Sequence, residues 1–358
     1  MARTRVLVVE DSPTVRQRLA EIVASDPSLE LVGEAEDGMA AIEMCTRLRP
    51  DVVTMDMMMP IMTGLAATEY IMAHTPTPIL VVSASMNRGE LFKIYDALAA
   101  GAVDVLDKPT GTEGDGVWER RFLAMLKMVA RIRVITHPRG RLNELRERMA
   151  PRARERAAPP APSRRISMVA IGASTGGPGA LAEILRGLPE QFQLPILIVL
   201  HINEPFGTAF ADWLDGQTGR RVIYPHEGMT VASVAGRVVV APGDRHMVVE
   251  DGRIFLNKGP ERHFCRPSVD VLFESVAADY GPSAAACLLT GMGRDGALGL
   301  LKIRQAGGTT VAQDEQTSVV YGMPREAAAL GAAQQILRLS DIAPRLVALD
   351  EVARELCG

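Results

Sequence analysis

Three positions at the ends of apolar runs in the second half of the chain carry a serine, a histidine and an aspartate. The run SMVAIG leads into Gly172-Ala173-Ser174-Thr175-Gly176-Gly177-Pro178, which reads as a strand, a turn of small residues and a helix opened by proline. Glycines at 172 and 176 fit a G-x-S-x-G elbow, where a tight turn exposes the serine hydroxyl and the next backbone N–H faces an oxyanion. A glycine-rich loop cradling an anion at a helix N-terminus would read the same way. The next run, PILIVLH, carries His201 to its carboxyl end, where an imidazole could act as general base for a neighbouring serine. AAACLLT then leads into Gly291-Met292-Gly293-Arg294-Asp295-Gly296, and Asp295 could orient His201 and stabilise its imidazolium form. Roles and geometry define a triad, so the chain order Ser, His, Asp is acceptable.

Two rival readings use the same residues. G-M-G-R-D-G also satisfies G-x-G-x-x-G after a strand, with Asp314 following a later strand, and so imitates a dinucleotide fingerprint. That reading would set the Asp295 carboxylate beside a pyrophosphate and leaves only a short chain for the rest of a nucleotide-binding half. An ordinary α/β-hydrolase needs its histidine late in the chain, after the acid, whereas the last histidine here is His263.

In the first half, ligands of an open α/β sheet would gather just after the strands, and that position collects Glu10, Asp11, Asp56, Ser83 and Lys108. Three carboxylates at one edge repel one another unless a hard divalent cation offsets them, and an oxygen-rich set of this kind suits Mg²⁺. Lys108 and the Ser83 hydroxyl then supply donors to a further anion. The group reads as a phosphoryl acceptor, with Glu10, Asp11 and Asp56 as the metal site and the Asp56 carboxylate as nucleophile. The run Met57 to Met59 reads as packing beside that loop and not as a soft-metal site.

The elements that must hold these residues are short β-branched runs alternating with helical patterns, the signature of parallel sheets with helices on both faces. In the first half the strands are RVLVVE, LELVGEA, DVVTMD, PILVVSA and AVDVLD, with helices near 13–25, 39–48, 65–73 and 89–99. In the second they are SMVAIG, PILIVLH, GRVVVAP, AAACLLT and TTVAQD, with a hairpin HMVVEDGRIFLN turned by Asp251-Gly252. Between the halves, residues 126–165 read as a helical and then Arg/Pro-rich linker, whose APPAPS stretch has too little apolar surface to offset ordering entropy.

The 358 residues allow about two domains, 1–125 and 166–358, and 47% hydrophobic with 23% charged residues fits globular cores. A net charge of -4 supplies no positive field for nucleic acid. The four cysteines, Cys45, Cys265, Cys287 and Cys357, form no C-x-x-C pair and read as free thiols of a reducing compartment. Neither a signal-peptide core nor a run of membrane-spanning length is found, so the expectation is a cytoplasmic protein without membrane insertion.

EDS, DMMMPIMTG, VVSAS and DKP, in this order and spacing, closely resemble the receiver domain of bacterial response regulators over residues 1–125. GASTGGPGAL, the strand-end histidine, APGDRH, RPSVDVLFESVA, LTGMGRDGALGL and AQDEQTSVVYGMPREAAALGA resemble the catalytic domain of the chemotaxis protein-glutamate methylesterases, the CheB family. The resemblance implies a flavodoxin-like doubly wound receiver followed by a doubly wound α/β methylesterase domain. It implies phosphorylation of Asp56 by a histidine kinase, with Ser83 and Lys108 sensing the phosphoryl group, and a receiver that covers the catalytic face until phosphorylated. It further implies Ser174 as nucleophile, His201 as base, Asp295 as orienting acid and an oxyanion site from the N–H groups of Thr175 and Met292. The substrate implied is the methylated cytoplasmic region of a chemoreceptor, with methanol released and selected glutamines deamidated. His246 and Asp270 match family motifs and read as structural. Two positions depart from the pattern. Val105 stands where receivers often carry an aromatic switch residue, and HINEPFGT replaces the more usual H-M-P-x-x-F-T form, so the base is kept while its flanks differ. A signalling adaptor with weak esterase activity is the alternative in a different functional class.

Overall fold

The computed structural model describes residues 3–84, 87–109, 116–132, 134, 165–202 and 206–355. The chain divides into two units, 1–153 and 154–358.

The first unit runs β1 (Thr4–Val9), α1 (Pro13–Ser25), β2 (Leu29–Ala35), α2 (Gly38–Leu48), β3 (Val52–Met55), α3 (Gly64–His74), β4 (Ile79–Ser83), α4 (Arg88–Ala99), β5 (Asp104–Asp107) and α5 (Val117–Val129). The strands pair in parallel in the order β2-β1-β3-β4-β5. Val6, Leu7, Val8, Val52, Val53, Leu80 and Val81 are wholly buried, as parallel strands covered on both faces require. Helix starts carry their own acceptors, Asp37 taking the Ala40 N–H at 2.9 Å and Asn87 the Glu90 N–H at 3.0 Å. In α5 the stripe Trp118, Phe122, Leu126 and Val129 repeats at helical spacing and is buried in the sheet-side core. The helix therefore carries the core of this unit past residue 125, and Ile132 and Val134 still pack against it. The Arg/Pro-rich part of the expected linker, from 135 to 164, lies outside the described residues.

The second unit runs β6 (Met168–Ala173), α6 (Gly177–Arg186), β7 (Ile196–Leu200), α7 (Phe210–Thr218), β8 (Val222–Ile223), β9 (Met229–Thr230), β10 (Val238–Val240), β11 (His246–Glu250), β12 (Arg253–Asn257), α8 (Val269–Asp279), β13 (Ala284–Leu288), α9 (Ala297–Gln305), β14 (Thr309–Gln313), α10 (Met323–Ala329), β15 (Gln335–Leu337) and α11 (Leu339–Glu355). Its main sheet is parallel, in the order β15-β14-β13-β6-β7-β10-β8. From β6 the chain builds outward through β7, then returns to β13 and builds the other way. The reversal falls between β6 and β13, the crevice where such sheets bind ligands. β11, β12 and β9 form a small antiparallel sheet, and Asp251 (φ 49°) with Gly252 (φ 68°) gives the β11–β12 hairpin the two left-handed residues of a tight turn. β8 is only two residues long and the edge strand β15 only three and partly exposed, too short for a strand pattern to mark them.

Candidate active site

In the first unit Glu10 follows β1, Asp56 follows β3, Ser83 ends β4 and Lys108 follows β5. The Lys108 ammonium stands 2.8 Å from Glu10 Oε2 and 3.2 Å from Asp56 Oδ2. The Met57 N–H donates to Asp56 Oδ1 at 2.8 Å, and the Lys108 N–H donates to the Ser83 carbonyl at 3.1 Å. One oxygen each from Glu10, Asp11 and Asp56 lies within 4.8 Å of the others. Burial pushes the Glu10 and Asp56 carboxyls above their usual range, against the pull of Lys108. Burial disfavours the Lys108 charge too, but the Glu10 hydrogen bond and the Asp56 charge outweigh it and the ammonium titrates higher than usual. Three carboxylates facing one ammonium leave negative charge to spare, and an all-oxygen donor set with exposed Asp11 at its rim fits a hard, partly hydrated divalent cation. The loop after β3 folds tightly here. A Cβ at Gly64 would lie 1.9 Å from the Asp56 carbonyl oxygen, so only glycine is accommodated. Met57 and Met59 are buried while Met58 is exposed.

In the second unit the serine, the histidine and the aspartate come after β6, β7 and β13, three neighbouring strands of the main sheet. Ala173 and Leu200 are register partners on β6 and β7, so Ser174 and His201 leave adjacent strands at the same level. The His201 N–H donates to the Ala173 carbonyl at 3.0 Å, and on the opposite side the Ser174 N–H donates to the Thr290 carbonyl at 3.0 Å. Half-buried Ser174 is thus held between the end of β7 and the loop after β13. The turn depends on its glycines. Gly176 has φ 77°, and a Cβ there would lie 2.6 Å from Val319, while a Cβ at Gly172 would lie 2.2 Å from Val269 Cγ1.

Asp295 is buried, and its carboxylate accepts four hydrogen bonds. Oδ1 takes the Ser268 hydroxyl at 2.8 Å and the Asp270 N–H at 3.1 Å, and Oδ2 takes the Val269 N–H at 2.7 Å and His201 Nε2 at 2.8 Å. Two of these donors are backbone groups at the start of α8, where the helix dipole also favours negative charge. Burial opposes the Asp295 charge, but the His201 bond and these donors outweigh it and hold the carboxyl below its usual range. For His201 burial opposes the charged ring, and the Asp295 and Cys265 side chains outweigh it, raising the imidazole to about 9. With Asp295 ionised, Nε2 carries the proton of that bond and Nδ1 is the basic nitrogen of the neutral ring.

The N–H groups of Thr175 and Met292 donate to no protein acceptor among the described residues. His246 is buried in a different arrangement, its Nδ1 accepting the Ser268 N–H at 3.1 Å and its Nε2 lying 3.1 Å from the Pro260 carbonyl. Asp270 is wholly buried and accepts the Gly299 N–H at 2.6 Å, tying α8 to α9, with His263 Nε2 at 3.1 Å. A cavity of about 690 Å³ opens over His201 and Asp295, lined also by Cys265, Met292, Tyr321 and Arg325. The roles of Ser268 and Thr290 and the position of Cys265 were not legible beforehand. Ser268 did fall within the quoted RPSVD run, but a helix-opening serine reads simply as a cap, which it also is for Val271.

Residues 169–346 match the CheB methylesterase family, and residues 6–114 match the response regulator receiver domain. The protein-glutamate methylesterase/protein-glutamine glutaminase 2 of Anaeromyxobacter dehalogenans is 45% identical over 98% of this chain and 97% of its own. The chain belongs to the CheB family. Another member, the protein-glutamate methylesterase/protein-glutamine glutaminase 4 of Myxococcus xanthus, is 42% identical over 96% of each chain. Among solved structures, the Thermotoga maritima CheB methylesterase catalytic domain is 36% identical, covering 52% of this chain and 100% of its own with a TM-score of 0.49. In the segment after His201 that departs from the CheB pattern, residues 203–205 lie outside the described residues, as does Cys357. Among the described residues no helix is long and apolar enough to cross a membrane.

Proposed function

We propose that the chain is a phosphorylation-controlled esterase that hydrolyses γ-methyl esters of glutamate on the cytoplasmic region of a chemoreceptor, and that it deamidates selected glutamines there. The observation that carries the reading is the bond between His201 and Asp295 at 2.8 Å, placed one strand from Ser174, with the Thr175 and Met292 N–H groups finding no protein acceptor among the described residues.

In this mechanism neutral His201 accepts the Ser174 proton at Nδ1 while Oγ attacks the ester carbonyl. Asp295 compensates the imidazolium that forms, and its four hydrogen bonds keep it ionised and fixed. The tetrahedral oxyanion is held by the Thr175 and Met292 N–H groups, each such donor contributing about 3–4 kcal/mol to the barrier reduction. His201 returns the proton to the leaving methoxide, methanol departs, and Ser174 is left acylated. A water deprotonated by His201 then releases the glutamate. With a glutamine substrate the same steps release ammonia.

At the receiver, the Asp56 carboxylate takes the phosphoryl group from a phosphohistidine of a histidine kinase, and Ser83 and Lys108 engage its oxygens. Glu10, Asp11 and Asp56 would hold Mg²⁺, which when bound offsets charge on the transferring phosphoryl group. The esterase reading is tested by Ser174→Ala on carboxyl-methylated receptor membranes. Methanol release should be lost, and near-normal release would overturn the reading.

A further inference from the structure

We infer that His201, Cys265 and Asp295 form a binding site for a soft divalent cation such as Zn²⁺, and that its occupancy stops hydrolysis. One donor atom from each of the three side chains lies within 4.8 Å of the others. Sulfur, imidazole nitrogen and carboxylate oxygen together are a set that zinc accepts and Mg²⁺ does not. The first unit offers the opposite set, the three carboxylates of Glu10, Asp11 and Asp56. The same chain thus separates a hard cation from a soft one by ligand chemistry.

The thiol is placed by its own loop. Arg262 and Cys265 exchange backbone hydrogen bonds of 3.1 and 2.9 Å across a turn in which His263 (φ 54°) and Phe264 (φ 62°) are left-handed. This closed turn brings half-buried Cys265 to the cavity beside His201. The other described cysteines cannot do the same. Cys45 and Cys287 are wholly buried, and burial pushes both thiols up to about 12, far from the thiolate that metal binding needs. A tetrahedral ion with nitrogen and oxygen ligands near 2.1 Å needs them about 3.4 Å apart. His201 Nε2 and Asp295 Oδ2 stand at 2.8 Å, so a slight opening admits the ion. The fourth position is left to water from the cavity.

The ion takes Nε2 of the ring protonated at Nδ1, so an imidazolium loses its Nε2 proton to solvent and a neutral ring shifts that proton to Nδ1, while the Cys265 thiol proton leaves in either case. The metallated ring keeps its remaining proton on the other nitrogen and has no lone pair left for the Ser174 proton. The inhibitory half of this inference rests on the esterase reading, whereas the binding half does not.

The test uses Co²⁺ as a spectroscopic probe on the full chain carrying Cys357→Ser, without phosphodonor. One equivalent should produce a near-ultraviolet thiolate-to-Co²⁺ band that Cys265→Ala abolishes. His263→Gln, which disrupts the neighbouring His263–Asp270 pair, and Ser174→Ala should both keep the band. In parallel, Zn²⁺ should inhibit methanol release reversibly on chelation by dipicolinate. With each variant scaled to its own metal-free rate, Cys265→Ala should raise the half-inhibiting Zn²⁺ concentration by at least about tenfold. No band, a band that survives Cys265→Ala, or Zn²⁺ inhibition unchanged by that substitution would each overturn the inference. If Ser174→Ala retains hydrolysis but the band behaves as stated, the esterase reading fails and the metal site stands.

Discussion

At the ends of β1 and β3, Glu10 and Asp56 share one ammonium, that of Lys108, and burial drives both carboxyls up. At the ends of β7 and β13, Asp295 is equally removed from water but takes four hydrogen bonds and stays below its usual range. Both sites sit where parallel strands end, so the sheet does not decide the chemistry. The number of donors around each carboxylate does. The first site is left short of positive charge and suits a cation and a phosphoryl group brought from outside. The second is complete within the chain and suits a reaction whose charge appears and disappears within one turnover.

The largest expected effect comes from unbalancing the complete site. Asp295→Asn should lower Ser174-dependent methanol release by roughly 10³–10⁴-fold, because the amide cannot hold the His201 tautomer or offset its charge. A loss below about tenfold would mean that Asp295 orients nothing used in the reaction.

Next, Asp56→Asn should bring the ratio of phosphodonor-stimulated to basal release down to about one, since no carboxylate remains to carry the added charge. Stimulation that survives would place the phosphoryl acceptor elsewhere.

A third experiment reads the charge state of the histidine. The base must be neutral to act, and the Asp295 and Cys265 side chains hold His201 protonated up to about 9. kcat/KM should therefore rise with pH toward that value, by about tenfold per unit below it, once Ser174→Ala background hydrolysis is subtracted. A profile flat from about pH 6 upward would show that the pair is not ionised in the free enzyme.

The smallest effect sharpens the packing side of the comparison. Gly172→Ala places a methyl group 2.2 Å from Val269 Cγ1, beside the N–H that holds Asp295. Urea unfolding should show a loss of roughly 1–3 kcal/mol, the cost of overpacking.

The strands were legible because their β-branched runs are buried on both faces, and the hairpin because Asp251-Gly252 accepts two left-handed conformations. Ser174 and His201 were legible because each follows such a run directly, and Asp295 because it stands in the glycine-rich loop after β13. What holds Asp295 was not, since two of its four donors are backbone groups of Val269 and Asp270, which no side-chain pattern reveals. Cys265 was hidden for a related reason. It lies 64 residues from His201 in the chain, and only the left-handed turn at His263 and Phe264 brings the two together. At the other extreme, β15 is the short, partly exposed run QIL, which a strand pattern does not mark and which pairs with β14.

The coupling of the two sites is tested most directly by methanol release from carboxyl-methylated receptor membranes. Wild type, Ser174→Ala and Asp56→Asn would be compared, each with and without Mg²⁺ and a small phosphodonor. The expected result is release that needs Ser174 in every condition and rises with phosphodonor only when Asp56 is present. Phosphorylation of Asp56 with no serine-dependent release in either state would contradict it, and would leave a phosphorylation-controlled adaptor in place of an esterase.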